Sequence, residues 1–145
     1  VLLMRESKAK ELGYTPLGFL SSWHFPALDP RENMLLGNAY SMPAALDKAG
    51  LKLADLDVIE IHEAFAAQVL SNFKGFQEQH GWVVNADVVN VMGGSIAIGH
   101  PFGATGGRLV TTLANVLQRR GVEFGLVSVC AQGGLGAALV LEAAG

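Results

Sequence analysis

Strand-like and helix-like patterns of apolar residues follow one another along this chain. Short apolar runs bounded by turn residues predict five strands. They lie at Leu17–Phe25, Leu56–Ile61, Val88–Val91, Leu126–Cys130 and Ala137–Glu142. Apolar positions three or four residues apart predict helices between the strands and at the start of the chain. The helices span approximately Val1–Leu12, Ser41–Gly50, His62–Gln79 and Phe102–Arg120.

This alternation predicts an α/β fold with a mixed five-stranded sheet covered by helices on both faces. The sheet is expected to be mainly parallel, with the last two strands forming an antiparallel hairpin at one edge. Capping residues set the expected helix ends, with Ser41 as an N-cap and with Gly50 and Gly121 as C-terminal stops. The third helix should face the sheet with an apolar stripe made of Phe65, Val69, Phe73 and Phe76.

Composition indicates one domain with a surface that binds a partner. Half of the 145 residues are hydrophobic, which is enough for a buried core. Only 16% are charged and the mean hydropathy is +0.34, so more surface than usual should be buried in an interface. The net charge of −3 and the pI near 5.7 argue against a nucleic-acid-binding protein, because such proteins carry a basic footprint.

The cysteine content and the first residues bear on the compartment and on the extent of the chain. Cys130 is the only cysteine, which excludes an internal disulfide and a metal site built from cysteine pairs. A reducing compartment is expected, either the cytoplasm of a bacterium or the mitochondrion of a eukaryote. Residues 1–12 resemble the body of a helix without a cap, which predicts a fragment whose earlier part is absent.

The segment Val91–Arg108 is the most unusual part of the chain, because six glycines lie within fifteen residues around His100. Glycine is costly to order, so such a cluster is expected where the backbone needs left-handed angles or a close approach. Pro101 and the helical spacing after it place His100 where a loop becomes a helix. There His100 could act as an acid–base or oxyanion-binding group. A nucleotide-binding turn and a purely structural turn are the alternatives, although the segment contains no Gly-x-Gly-x-x-Gly or Walker motif.

Three candidate residues lie at the C-terminal ends of predicted strands: His62, His100 and Cys130. The carboxyl ends of strands in an open α/β sheet collect the working groups, so these side chains should converge. Glycines 133, 134 and 136 after the cysteine allow sharp turns that bring backbone N–H groups toward a ligand. A cysteine beside a histidine would suit acyl transfer. The alternatives are a buried structural cysteine and a capping histidine.

Three ordered motifs resemble the C-terminal half of thiolases. They are His62-Glu-Ala-Phe-Ala66, Gly93-Gly-Ser-Ile-Ala-Ile-Gly-His-Pro-Phe-Gly-Ala-Thr-Gly106 and Cys130-Ala-Gln-Gly-Gly-Leu-Gly136. The resemblance covers essentially the whole chain as one domain, residues 1–145. Most thiolases have Asn-Glu-Ala-Phe at the first motif, and the His-Glu-Ala-Phe form resembles the long-chain 3-ketoacyl-CoA thiolases of fatty-acid β-oxidation complexes.

The resemblance implies thiolytic cleavage of 3-ketoacyl-CoA by CoA, which yields acetyl-CoA and a shortened acyl-CoA. Coenzyme A would be a substrate, and no cofactor or metal is implied. The nucleophilic cysteine of thiolases lies in an N-terminal half, which this chain lacks. The implied partners are that N-terminal half, a second copy in a homodimer or tetramer, and a β-oxidation multienzyme complex.

Site residues are also implied by the resemblance. Cys130 would exchange a proton with the α-carbon of the acetyl unit, and His100 would activate the missing thiol and bind an oxyanion. His62 would occupy the place of an oxyanion-hole asparagine. The remaining implied positions are backbone donors at Gln132 and Gly133 and substrate contacts at Ala64 and Phe65.

One departure from the thiolase pattern affects the implied oxyanion hole. Gln132 stands where thiolases often have the first of three glycines, and a left-handed angle would be more costly for glutamine than for glycine. Two other functions stay open at this point. One is a non-catalytic CoA-binding or assembly module, and the other is a self-contained hydrolase built on Cys130 and His100.

Overall fold

The computed structural model describes residues 1–145, which form four strands and six α-helices. The strands are β1 (Gly18–His24), β2 (Val58–Ile61), β3 (Phe124–Ala131) and β4 (Leu135–Ala143). The helices are α1 (Glu6–Leu12), α2 (Pro30–Asn33), α3 (Gly37–Ala49), α4 (Ala66–His80), α5 (Ser95–Ile98) and α6 (Thr105–Arg120). Short 3₁₀ turns occupy Leu53–Asp55, Ala86–Val88 and Phe102–Ala104.

The sheet has the strand order β1-β4-β3-β2. Strands β2 and β3 are parallel, with Ile61 opposite Ser128. Strand β4 pairs antiparallel with β3 on one side and with β1 on the other. The predicted hairpin of the last two strands is therefore confirmed, but its predicted place at an edge is wrong, because β4 and β3 are the two central strands. The expectation of a mainly parallel sheet is wrong, because only one of the three strand pairs is parallel. The candidate site lies at the C-terminal ends of the parallel strands β2 and β3.

Helices cover both faces of the sheet, as the sequence predicts. Alternate residues of a strand point to opposite faces, and the two apolar clusters follow this rule on β2. Ile59 and Ile61 pack with α3 and α4, whereas Val58 packs with α6. Residues Glu60 and His62 share the register of Val58, which directs them toward the α6 face.

The predicted fifth strand at Val88–Val91 is wrong, and Asn90 gives the physical reason. A single parallel bridge joins Val89 to Ile59 beside a 3₁₀ turn. Beyond it the Asn90 side chain replaces strand pairing: it accepts from the Ile61 N–H at 2.8 Å and donates to the Ile61 carbonyl at 2.9 Å. The Asn90 backbone turns away at φ +47°, which asparagine tolerates better than most residues. The end of β2 is therefore fixed by a side chain.

Several predicted helix boundaries also differ from the structure. Helix α3 begins at Gly37, so Ser41 lies buried inside the helix and is not its N-cap. Helix α1 begins only at Glu6. Phe65 is the N-cap residue of α4 and is 64% exposed, so it does not join the apolar stripe that the later positions of that helix form. None of the helices combines the length and the apolar character required to span a bilayer.

Candidate active site

His62 directly follows β2 and is a buried residue of the candidate site. Its backbone N–H donates to the Ser128 carbonyl at 2.8 Å, which continues the parallel pairing by one residue. Its side chain is 1% exposed. Because Asn90 fixes Ile61 and β3 fixes His62, the imidazole is held by two neighbouring segments of the fold.

His100 lies above His62 and is exposed to solvent. The centroids of the two imidazole rings are 4.0 Å apart, with an angle of 35° between the ring planes. The Nδ1 atom of His100 lies 2.7 Å from the hydroxyl of Thr105, the first residue of α6. The ring of Phe102 packs edge-on against the His100 ring, with 5.0 Å between the two ring centroids. The predicted position of His100 between a loop and a helix is therefore confirmed, as is its convergence with His62.

The glycine-rich loop is attached to the end of β2 through Glu63. The two carboxylate oxygens of Glu63 accept from the Asn90 side-chain amide at 2.7 Å and from the Ile96 backbone N–H at 3.0 Å. Gly94 lies so close to this carboxylate that a Cβ atom there would overlap it. A larger residue here would displace the Glu63 carboxylate from these hydrogen bonds, so Gly94 permits the close approach that the sequence predicts for the cluster.

Ser95, Arg108 and Glu60 are site residues that sequence reasoning missed. The Ser95 hydroxyl lies 2.8 Å from His62 Nδ1 and accepts from Arg108 Nη2 at 3.0 Å. Glu60 is fully buried two residues before His62, and neither of its carboxylate oxygens has a hydrogen-bond partner. The one signal in the sequence was a glutamate inside the apolar strand Val58–Ile61, because a charge is rarely buried without a partner.

Burial shifts the pKa values of His62 and Glu60 in opposite directions. The pKa of His62 falls to about 4, mainly through loss of hydration and in smaller part through the charges of His100 and Arg108. Loss of hydration raises the pKa of Glu60 to about 7, although the charge of Arg108 opposes that rise. At neutral pH His62 is therefore an uncharged imidazole that can donate or accept a hydrogen bond.

Cys130 lies on β3 two residues beyond Ser128, the partner of Ile61, and so reaches the same edge of the sheet as His62. The side chain is 4% exposed, and burial raises the pKa of its thiol. The thiol makes no hydrogen bond to His62 or His100. A buried thiol with a raised pKa is a proton donor rather than a ready nucleophile. These features argue against a self-contained hydrolase built on Cys130 and His100.

The turn between β3 and β4 contains the two predicted backbone donors, Gln132 and Gly133, both exposed. Left-handed φ angles occur at Gly133 and Gly134, and not at Gln132. At Gly134 a Cβ atom would also overlap the Leu28 carbonyl. Gln132 therefore lies at a position that does not require glycine. The departure from the thiolase pattern adds no backbone strain there.

The two residues implied as substrate contacts, Ala64 and Phe65, lie between β2 and α4. The Ala64 N–H donates to the buried side chain of Gln68 at 3.1 Å, which closes the first turn of the helix. The exposed ring of Phe65 is available to a ligand or to a neighbouring polypeptide. No group of three or more His, Cys, Asp or Glu side chains is arranged to hold a metal ion.

Solved structures of two enzymes share this fold. Human mitochondrial 3-ketoacyl-CoA thiolase superposes with a TM-score of 0.88 at 34% identity, covering 97% of this chain and 34% of the human chain. The same enzyme in complex with CoA gives the same values. The acetyl-CoA acetyltransferase of Bacillus anthracis superposes with a TM-score of 0.88 at 40% identity, again over 97% of this chain and 34% of that chain.

Curated relatives give the same result from sequence. The 3-ketoacyl-CoA thiolase of Colwellia psychrerythraea is 54% identical, and that of Escherichia fergusonii is also 54% identical. The matches cover 98% and 99% of this chain and 35% of each relative, so the chain spans about a third of the length of these proteins. The family model described as the C-terminal domain of thiolase matches residues 14–143. The chain therefore belongs to the thiolase family and corresponds to its C-terminal domain.

Proposed function

We propose that this chain supplies the acid–base and oxyanion-binding groups for thiolysis of 3-ketoacyl-CoA in fatty-acid β-oxidation. The observation that carries the proposal is the contact between a buried neutral His62 and an exposed His100 at the sheet edge that Cys130 also reaches. Two imidazoles and a protonated thiol at one edge suit a reaction that forms an oxyanion and a carbanion. The products are acetyl-CoA and an acyl-CoA shortened by two carbons.

The nucleophile in this proposal is a cysteine thiol from a segment outside this chain, and His100 removes its proton. His100 suits this role because it is exposed and its Nδ1 is held by Thr105, which leaves Nε2 directed away from that contact. The thiolate attacks the 3-keto carbon. The bond between C2 and C3 then breaks, the shortened acyl group stays on the cysteine, and the electron pair stays on acetyl-CoA as an enolate.

Cys130 donates the proton that this enolate needs at C2. Burial keeps the thiol protonated at neutral pH, as a general acid must be. Coenzyme A then attacks the acyl-cysteine and releases the shortened acyl-CoA, and its thiol proton restores Cys130. The proton held by His100 returns to the nucleophilic cysteine. Each residue thus ends the cycle in its starting state.

His62 stabilises the oxyanion by donating a hydrogen bond, without transferring a proton. A pKa of about 4 keeps its ring neutral through the working pH range, so it resembles an amide in charge. Its burial fixes the ring before substrate arrives, and donors fixed in this way account for a large part of catalysis in many enzymes. The exposed backbone N–H groups of Gln132 and Gly133 complete the set of proposed donors, and Ala64 and Phe65 contact the substrate.

The proposed partners are an N-terminal thiolase segment, a second copy in a homodimer or tetramer, and a β-oxidation multienzyme complex. Exposed large apolar side chains in the segment that carries His100 support a covering partner. Their exposures are 60% for Met92, 61% for Ile96, 60% for Ile98 and 82% for Phe102. An apolar surface of this kind marks an interaction site in soluble proteins. We further propose the bacterial cytoplasm as the compartment, or the mitochondrion for a eukaryotic protein.

The test of this function is reconstitution. The 145-residue chain alone should not cleave acetoacetyl-CoA or longer 3-ketoacyl-CoA, because its one cysteine is the proposed acid and not the nucleophile. Joined to the N-terminal part of a close relative, the chain should restore CoA-dependent thiolysis, measured as loss of the 3-ketoacyl thioester. The matched control is the same chimaera with the N-terminal nucleophilic cysteine changed to alanine. Thiolysis by the chain alone at the rate of an intact thiolase would refute the proposal.

His62 variants of that chimaera separate donation from proton transfer. His62→Asn should keep substantial activity, because an amide also donates a hydrogen bond. His62→Ala should lose roughly 100- to 1,000-fold in kcat, the range for a deleted oxyanion donor. Steady-state kinetics on the two variants, both checked for folding by circular dichroism, make the comparison. Equal damage from asparagine and alanine would contradict the role given to His62.

A further inference from the structure

We infer that Arg108, acting through the Ser95 hydroxyl, is a positioning residue that holds His62 in the tautomer with its proton on Nε2. The inference deepens the proposed function and rests on it for its catalytic meaning. A neutral imidazole carries one proton, and only the nitrogen that holds it can donate. The tautomer therefore decides which nitrogen of His62 can donate a hydrogen bond to an oxyanion.

The direction of the hydrogen bonds follows from the chemistry of arginine. A guanidinium group has donors only, so Ser95 Oγ must accept from Arg108 Nη2. The Ser95 hydroxyl then has its own proton left to place. The one other hydrogen-bond partner of Oγ is His62 Nδ1, at 2.8 Å. Because Ser95 is buried, leaving its proton without an acceptor would be costly, so the hydroxyl donates to Nδ1.

The opposite arrangement leaves a buried donor unsatisfied. If Nδ1 carried the proton, Ser95 Oγ would accept from both Arg108 and His62, and its hydroxyl proton would have no partner. With Nδ1 as acceptor, the Ser95 hydroxyl accepts from Arg108 and donates to His62, so its proton has a partner and the proton of His62 lies on Nε2. The Nε2 atom makes no hydrogen bond within the chain, which leaves its N–H free for a ligand.

Glu60 is the acidic side chain nearest in charge effect to Arg108, although the two groups share no hydrogen bond. The Nε and Nη1 atoms of Arg108 are buried without hydrogen-bond partners, and so are both carboxylate oxygens of Glu60. Glu60 shares the α6 face of β2, and it interacts with Arg108 through charge. A buried charge is tolerated when it is compensated, and the Glu60 carboxylate compensates Arg108 in full only above its raised pKa of about 7.

The tautomer can be measured on the 145-residue chain without substrate, by long-range ¹H–¹⁵N correlation spectra of protein labelled at its histidines. Loss of one set of signals in His62→Asn identifies His62 among the four histidines. In the wild-type protein Nδ1 of His62 should show the shift of an unprotonated nitrogen and Nε2 that of a protonated one. A protonated Nδ1 would overturn the inference.

Two substitutions test the part played by Arg108. In Arg108→Met the Ser95 hydroxyl is free to accept from Nδ1–H, so the share of the Nδ1–H tautomer should rise roughly 2- to 10-fold, the effect of one hydrogen bond. Arg108→Lys keeps a charged group that only donates and should retain the wild-type tautomer. Arg119→Met, at the far end of α6, is the matched control and should change nothing.

Each outcome of these spectra bears on Arg108. A folded Arg108→Met protein with the wild-type tautomer ratio would overturn its role. If that variant does not fold, a protonated Nδ1 in Arg108→Lys or in the wild type would still overturn it. The result is also separable from the proposed function. The expected tautomer together with unchanged thiolysis in His62→Ala would refute the function and leave the hydrogen-bond assignment intact.

Discussion

Replacing Cys130 with alanine in an active chimaera should slow thiolysis by roughly 100- to 10,000-fold, the range for a positioned acid–base group. The acyl-enzyme should still form, because the proposed nucleophile is a different cysteine. Intact-protein mass spectrometry after mixing with acyl-CoA measures that intermediate directly. Exchange of deuterium from solvent into the methyl group of acetyl-CoA should fall together with turnover, since both need a proton at the α-carbon.

The control for Cys130 is a second buried residue of the same strand. Ser128→Ala removes a buried polar group two residues away and should leave the exchange rate close to that of the parent protein. An acyl group found on Cys130 in the wild-type chimaera, with none on another residue, would show that the role given to this cysteine is wrong.

Replacing His100 with asparagine should abolish most acyl-enzyme formation at neutral pH, with a fall in turnover of roughly 100- to 10,000-fold. The amide cannot remove a proton from the nucleophilic thiol. Raising the pH above the ordinary thiol pKa of about 8.5 should restore part of the acylation rate, because the thiolate then forms without a base. Rapid-quench measurement of acyl-enzyme across pH provides the readout.

This pH rescue distinguishes the loss of a base from a loss of structure. His80→Asn is the matched control, because His80 lies at the end of α4 with its ring against Trp82 and outside the site. It should show wild-type acylation at every pH. A full burst of acyl-enzyme in His100→Asn at neutral pH would contradict the assignment of His100 as the base.

Strong local patterns predicted most of the fold. The apolar spacing within residues 105–120 and the glycine at 121 predicted α6 and its end. The fifth strand could not be excluded from sequence, because Val88–Val91 has a strand-like composition. Only the structure shows that an asparagine side chain takes over the pairing there. Similarly, Ser41 is a good N-cap residue, but packing against the sheet extends α3 to Gly37.

The candidate site was predictable where a residue type has few structural uses. His62 stood at the end of a predicted strand and His100 in a glycine-rich loop, and the two rings converge in the structure. The contacts of Ser95 and Arg108 were not predictable, because serine and arginine in a loop and a first helical turn have many ordinary uses. Their roles depend on the fold, which brings Ser95 beside His62 and Arg108 beside Ser95. Local sequence does not encode these contacts between distant segments.

The opposite pKa shifts of Glu60 and His62 have a consequence for how folding depends on pH. The pKa of Glu60 rises from 4.5 to about 7 on folding, so Glu60 alone would make the folded state less stable as pH increases across that range. The pKa of His62 falls from 6.5 to about 4, so His62 alone would make the folded state more stable as pH increases across that range. Between pH 4.5 and 6.5 the unfolded pair is a carboxylate and an imidazolium, and the folded pair is a carboxylic acid and an imidazole. Folding therefore moves one proton from histidine to glutamate with no net exchange with solvent, and the contribution of the pair to the free energy of unfolding is unfavourable but independent of pH in that window.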